Sequence, residues 1–162
     1  MSERKGNQSN KIYDYFKTDP IVLNGRFARY ADAMWTQNKI DDKSRFSKLL
    51  DLYAVAAIIG FRKGRRLADD KLSPEKRTIQ LDQIASNYMR FYTIMQVILL
   101  LDDSRGLEPA EKAKMAFDTN PKSEKVYEDN MELFHSYARG GLEYLYEVLV
   151  TRPVVMDDEF ED

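Results

Sequence analysis

Five cationic side chains follow an apolar segment near the middle of the chain. Residues 51–66 read DLYAVAAIIGFRKGRR, so positive charge comes directly after an apolar run. Positive charge at the C-terminal end of a helix complements the helix dipole, and it also attracts phosphate and carboxylate groups. The segment therefore predicts a surface that binds nucleic acid or a partner protein. Its members are Arg62, Lys63, Arg65 and Arg66, which we call the basic cluster, together with Lys71.

The basic cluster also has a purely structural interpretation. A solvated helix end needs no ligand, because its cations form weak surface ion pairs with neighbouring acids. In that case the two arginines that end the cluster pair with Asp69, Asp70 or the acidic C-terminal tail. The functional interpretation is favoured by position, since charges that follow a buried helix are held on a rigid base.

Few residues of this chain are suited to catalysis. The segment GFRKGRR lacks the spacing of a phosphate-binding loop, and no serine or threonine follows its lysine. His135 is the only histidine, which excludes sites built from several histidines, and we interpret it as a packed or surface side chain. The adjacent acids at 69–70 and 102–103 point apart on any regular element, so we assign them to loops or helix ends. The sequence predicts no catalytic residue, metal or cofactor.

Aromatic side chains are abundant, with 10 tyrosines and 8 phenylalanines. Aromatic rings beside positive charge are one way in which proteins hold single-stranded nucleic acid. However, most of the tyrosines recur at helical spacing on apolar stripes, which is typical of core packing. We therefore interpret the tyrosines mainly as core residues whose hydroxyl groups reach the rim.

Composition restricts the class of protein. The formal net charge of the 162 residues is only -2, so any attraction to nucleic acid must be local. The chain contains no cysteine, which excludes disulfides and thiolate zinc sites and fits a reducing compartment. The apolar run near Val97–Leu101 is too short to span a bilayer. We expect a cytoplasmic protein without a membrane partner.

Hydrophobic periodicity predicts one all-α domain over residues 12–153, between a flexible N-terminus at 1–11 and an acidic tail at 154–162. No strand-like alternation is evident. The domain should have a buried central helix, with residues 52–59 among the least exposed, and a long C-terminal helix. In the first half of the chain, helices are predicted over 23–35, from a cap within 41–44 through Ala57, and from a start at Ser73-Pro74-Glu75. In the second half, a long apolar stripe from Ile84 to Leu99 predicts a helix that ends at 102–106. It is followed by a short helix from Pro109 to Phe117 and a last helix from Ser123 to Pro153.

Two adjacent glycines interrupt the last predicted helix. Gly140 and Gly141 lie inside a strong helical pattern, where each glycine costs about 1 kcal/mol relative to alanine. A close approach of another backbone, or a kink, would explain such a pair. The pair therefore predicts a helix-packing contact.

Two segments of this chain resemble a known family. They are similar to stretches of the small proteins associated with bacterial DNA phosphorothioation (Dnd) systems. The first segment is DLYAVAAIIGFRKGRR, and the second, later in the chain, is FHSYARGGLEYLYEVL. The resemblance extends in the same order from Phe46 to Leu149, whereas Ile21–Trp35 and the acidic tail have no counterpart. In the second segment the matching residues are Tyr137, Ala138, Gly141, Leu142 and Leu145.

The resemblance implies membership of a multi-gene anti-phage defence module that acts on or around DNA. It brings no catalytic residue. The leading hypothesis is a non-enzymatic accessory subunit that binds a larger ATPase or nuclease partner, DNA, or both. One alternative is a stand-alone DNA-binding regulatory protein acting as a small homo-oligomer. The other is a metal-dependent nuclease whose acids converge from several elements.

Overall fold

The computed structural model describes residues 13–35 and 46–151. These residues form a mostly helical domain with a long C-terminal helix, which confirms the all-α prediction. The predicted N-terminus, the cap within 41–44, the helix end at Pro153 and the acidic tail lie outside the described residues. The elements are β1 (Ile21–Asn24), α1 (Arg26–Met34), α2 (Leu49–Lys63), β2 (Lys76–Ile79), α3 (Leu81–Ser86), α4 (Tyr88–Leu101), α5 (Pro109–Phe117) and α6 (Glu124–Tyr146), with a π-helical turn at Glu147–Thr151.

The packing of α2 against α6 forms the centre of the domain. Gly60 on α2 and Gly141 on α6 have no side chain at this contact, so the backbones of the two helices meet directly. A Cβ atom built on Gly141 would overlap the carbonyl oxygen of Ala56, and one built on Gly60 would overlap that of Tyr137. Around this contact the buried apolar side chains of the described residues form one cluster.

The exposure of α2 differs from the prediction on one face. Leu52 and Ala56 are fully buried, but Ile58 is 47% exposed. The segment is apolar on all sides, and periodicity therefore gave no indication of which side faces solvent. The face that carries Ala56 and Gly60 is taken by α6, and Ile58 lies on another face of the helix.

The predicted helix start at Ser73-Pro74-Glu75 is wrong, because the chain there enters β2. Strands β1 and β2 pair antiparallel, with Ile21 opposite Ile79. The N–H of Gly25 donates to the carbonyl of Glu75 at 2.9 Å, which extends the pairing. The sequence Ser-Pro-Glu favours a helix start locally. Pairing with a strand more than fifty residues earlier in the chain outweighs this local preference.

Two further helix boundaries differ from the sequence prediction. The helix predicted over 23–35 begins only at Arg26, because the four residues of β1 precede it, and of these only Val22 is exposed. The long helix predicted through Ile84 is interrupted at Asn87, where the backbone has φ of -116°. The side chain of Asn87 donates to the carbonyl of Gln83 at 2.9 Å and so competes with the helical backbone.

The last two helices agree with the sequence prediction. Helix α5 spans Pro109–Phe117, with proline in its first turn. Helix α6 follows Ser123, whose hydroxyl accepts a hydrogen bond from the N–H of Val126. No helix within 13–35 and 46–151 is long and apolar enough to cross a membrane.

Candidate basic surface and polar cavity

The backbone that carries the basic cluster is fastened to α6. Helix α2 ends at Lys63, and Gly64 adopts the left-handed conformation, with φ of 63°, that closes the helix. The N–H of Leu67 then donates to the carbonyl of Ser136 at 3.0 Å, and the carbonyl of Leu67 accepts from Arg139 at 2.8 Å. The cluster therefore lies on a segment with both ends fixed.

Arg65 is held in ion pairs within the chain. Its guanidinium lies 3.4 Å from the carboxylate of Glu143 and 3.2 Å from that of Glu147. Asp69 and Asp70, the internal partners that the structural interpretation predicts, instead accept hydrogen bonds from the side chain of Asn24 and the backbone of residue 26. The charge of Arg65 is thus largely balanced inside the molecule.

Arg66 is held differently, by uncharged groups. Its Nε donates to the hydroxyl of Ser136 and its Nη1 to the hydroxyl of Ser104, each at 2.8 Å. The guanidinium carbon lies 5.6 Å from the ring centre of Tyr137. The side chain is exposed, so its charge is oriented but remains open to solvent and to ligands.

The buried carboxylate of Asp102 fixes one of the two serines that hold Arg66. Asp102 accepts from the hydroxyl of Ser104 at 2.7 Å and from that of Tyr137 at 2.5 Å. Burial alone raises the pKa of Asp102, but the hydrogen bonds from Tyr137 and Ser104 and the charge of Arg105 outweigh it, and the pKa is lower than its ordinary value. Asp102 is therefore ionised and fixes the hydroxyl that orients Arg66.

The remaining candidates are exposed. Arg62 and Lys63 lie on the last turn of α2, and the Nζ of Lys63 is 4.9 Å from the ring centre of Tyr144. Lys71 is also exposed, but it follows Asp70, which is bound to the start of α1. The contacts of the described residues do not bring Lys71 together with the basic cluster.

A second polar site surrounds His135, for which the sequence predicts only a packed or surface position. It is half-buried, its Nδ1 is hydrogen-bonded to the hydroxyl of Tyr53, and it borders a cavity of about 70 Å³. The sequence signal was the recurrence of polar residues three to four positions apart on α6, which places them on one face. The polar side chains that line the cavity are Asn24, Tyr53, Asp69, Glu132, His135 and Arg139.

Comparisons with known proteins give no relative of this chain. No protein family, no curated protein and no solved structure matches the chain. Within the described part of the chain, no group of three or more histidine, aspartate or glutamate side chains is arranged to hold a metal ion.

The environment of His135 keeps its imidazole neutral. Burial lowers its pKa to about 4, the charge of Arg139 acts in the same direction, and Asp69 opposes both. Burial also raises the pKa of Tyr53, so its hydroxyl keeps its proton. At neutral pH the pair is uncharged, and its chemistry is that of a hydrogen bond.

The imidazole of His135 should titrate near pH 4, well below the ordinary value of 6.5. Because the folded pKa is depressed, the unfolded chain binds more protons between these values, and folding stability should fall as pH falls through that window. Imidazole proton shifts in NMR measure this directly, since the chain has a single histidine. The control His135→Gln should reduce the slope of unfolding free energy by up to about 1.4 kcal/mol per pH unit. An imidazole that titrates near 6.5 would contradict the desolvation of this half-buried ring.

Proposed function

We propose that this chain is a non-enzymatic accessory subunit that contacts the phosphate backbone of DNA within a complex with a larger partner protein. The observation that carries the DNA contact is the fixation of Arg66 by two neutral hydroxyl groups. A guanidinium that is already oriented loses little side-chain entropy when it binds phosphate. Arg62 and Lys63 are exposed on the helix end that precedes Arg66 in the chain, and they carry further positive charge.

The four cations contribute unequally to this proposal. Arg65 has two carboxylate partners, and a phosphate would have to compete with both. Arg62, Lys63 and Arg66 have no ion pair with any described residue, so they supply the charge that a phosphate backbone would meet. The proposed contact surface consists of these three side chains.

The larger partner is supported by the resemblance to the Dnd-associated family. That resemblance extends through α2 and α6, the two helices that carry the basic cluster and its supports. A multi-gene defence module implies that a chain without catalytic residues acts on DNA together with other subunits. A stand-alone DNA-binding protein is the alternative, and it would reach its full affinity without a partner.

The double variant Arg62→Ala/Lys63→Ala should weaken DNA binding about tenfold at low salt and reduce the salt dependence. Each lost phosphate contact lowers the slope of log affinity against log salt by about one. Fluorescence anisotropy with one labelled DNA at four salt concentrations measures both quantities. Folding should be unaffected, because exposed charges contribute only about 0–1 kcal/mol to stability.

A matched control removes two exposed cations at the other end of α6. Lys122→Ala/Lys125→Ala causes the same change in net charge; Lys122 lies just before the helix, and Lys125 lies in its first turn, where it forms an exposed ion pair with Asp129. The control should bind DNA with the wild-type slope. Equal losses in the two variants would show a general charge effect, and wild-type binding by Arg62→Ala/Lys63→Ala would refute the proposed surface.

A further inference from the structure

One tyrosine beside the basic cluster is not used by the core. Tyr144 lies near the end of α6 and is half-buried. The Nζ of Lys63 is 4.9 Å from its ring centre, and the guanidinium carbon of Arg65 is 5.5 Å away. An aromatic ring is thus presented between a helix end and a fixed segment that both carry positive charge.

The neighbouring tyrosines differ from Tyr144 because each has an internal partner. Tyr137 is only 5% exposed and its hydroxyl donates to Asp102. The ring of Tyr146 packs on that of Tyr30 with centres 4.6 Å apart. Among the described residues, Tyr144 contacts no other aromatic ring and its hydroxyl makes no hydrogen bond. Its ring contacts Lys63, which belongs to the proposed contact surface, and Arg65, whose charge is balanced by Glu143 and Glu147.

We propose that Tyr144 is a stacking platform for an unpaired base and that the ligand of the basic cluster is a single-stranded nucleic acid. This inference rests on the proposed function. Positive charge along the backbone, together with an aromatic ring on which a base can stack, is the combination by which proteins hold single strands without reading sequence. In a continuous duplex each base is already stacked between its neighbours, so the ring would gain nothing from it.

The first test uses the unmodified protein and three DNA probes of equal length. These are a single strand of thymidines, the same strand with abasic sites in place of alternate bases, and a duplex. The single strand should bind about tenfold more tightly than the abasic strand, because both present the same phosphates and only the first offers bases for stacking. Equal affinities for all three probes would overturn the inference.

The second test replaces the ring. Tyr144→Leu should weaken binding of the thymidine strand about tenfold, while Tyr144→Phe, which keeps the stacking surface, should bind like the wild type. The salt dependence should not change in either variant, because no phosphate contact is lost. A matched control is Tyr88→Leu, since Tyr88 is also half-buried under a lysine, Lys17 at 4.0 Å, but packs on Tyr92 away from the cluster.

The outcomes separate this inference from the proposed function. If the protein binds all probes equally and Tyr144→Leu has no effect, DNA binding stands and the stacking role is refuted. If it binds none of them, both the proposed function and the inference fail. If Tyr144→Leu is destabilised in a melting curve, the abasic comparison with the wild-type protein decides the question alone.

Discussion

Replacing Ala56 with aspartate is expected to prevent the chain from folding, whereas the same replacement at Ile58, two residues later, should cost about 1–2 kcal/mol. Ala56 is fully buried and its carbonyl contacts Gly141, so no water or cation can reach a new carboxylate. An unpaired buried charge costs several kcal/mol, which is a large share of the stability of a domain this size. Ile58 is 47% exposed, and its aspartate would remain solvated.

Soluble yield and urea unfolding followed by circular dichroism measure this difference. The two variants have the same new side chain in the same helix, so the change in net charge cancels in the comparison, and the loss of alanine rather than isoleucine accounts for less than about 0.7 kcal/mol of the difference. A soluble, cooperatively folded Ala56→Asp variant would show that α2 does not pack on α6 through this face.

Gly141→Ala should lower the free energy of unfolding by about 3 kcal/mol or more. An alanine inside a helix normally gains about 1 kcal/mol over glycine, so the overlap must outweigh that gain. The added methyl would meet the carbonyl oxygen of Ala56, which belongs to the backbone of α2 and cannot rotate away. Overpacking a close helix contact typically costs 1–3 kcal/mol, with larger values where backbone must shift.

The control for this prediction is Gly64→Ala. Gly64 has φ of 63°, but a Cβ there would meet no other atom within 4 Å. That variant should therefore lose only about 1–2 kcal/mol, the cost of a left-handed conformation for alanine. If Gly141→Ala is as stable as the wild type, the direct backbone contact between α2 and α6 is absent in solution.

Helices α5 and α6 were predicted well because the residues that mark their starts lie next to the helices themselves in the sequence. Proline at position 109 and the serine at position 123 mark helix starts within a few residues of the apolar stripes that follow them. Gly140 and Gly141 also indicated a packing contact from sequence alone. They did not identify which backbone approaches, because that depends on how α2 and α6 cross.

The pairing of β1 with β2 was beyond prediction from the sequence. Each strand has four residues, which is too short for an alternation to stand out. The side chain of Arg77 fixes β2 through two hydrogen bonds to Asp32, at 2.9 and 2.8 Å, across 45 positions of the chain. Such a contact has no local signature.

The sequence predicted where the basic cluster lies, but it did not predict which of its cations are paired within the chain. The apolar run followed by cations indicated where the cluster lies. Glu143, which balances the charge of Arg65, lies on α6. The hydroxyl groups that orient Arg66 come from α6 and from the loop after α4. The cavity at His135 was missed for the same reason, since Tyr53 and Asp69 reach it from distant segments.

The two hydrogen bonds at Leu67 have a consequence for kinetics. Because the segment after the cluster is fixed to α6 at both its N–H and its carbonyl, a ligand meets a surface that already has its final shape. The observed association rate should then rise linearly with ligand concentration without reaching a plateau, since no slow rearrangement precedes or follows the encounter. Diffusion steered by local charge would set that rate, so added salt should slow the arrival of the ligand.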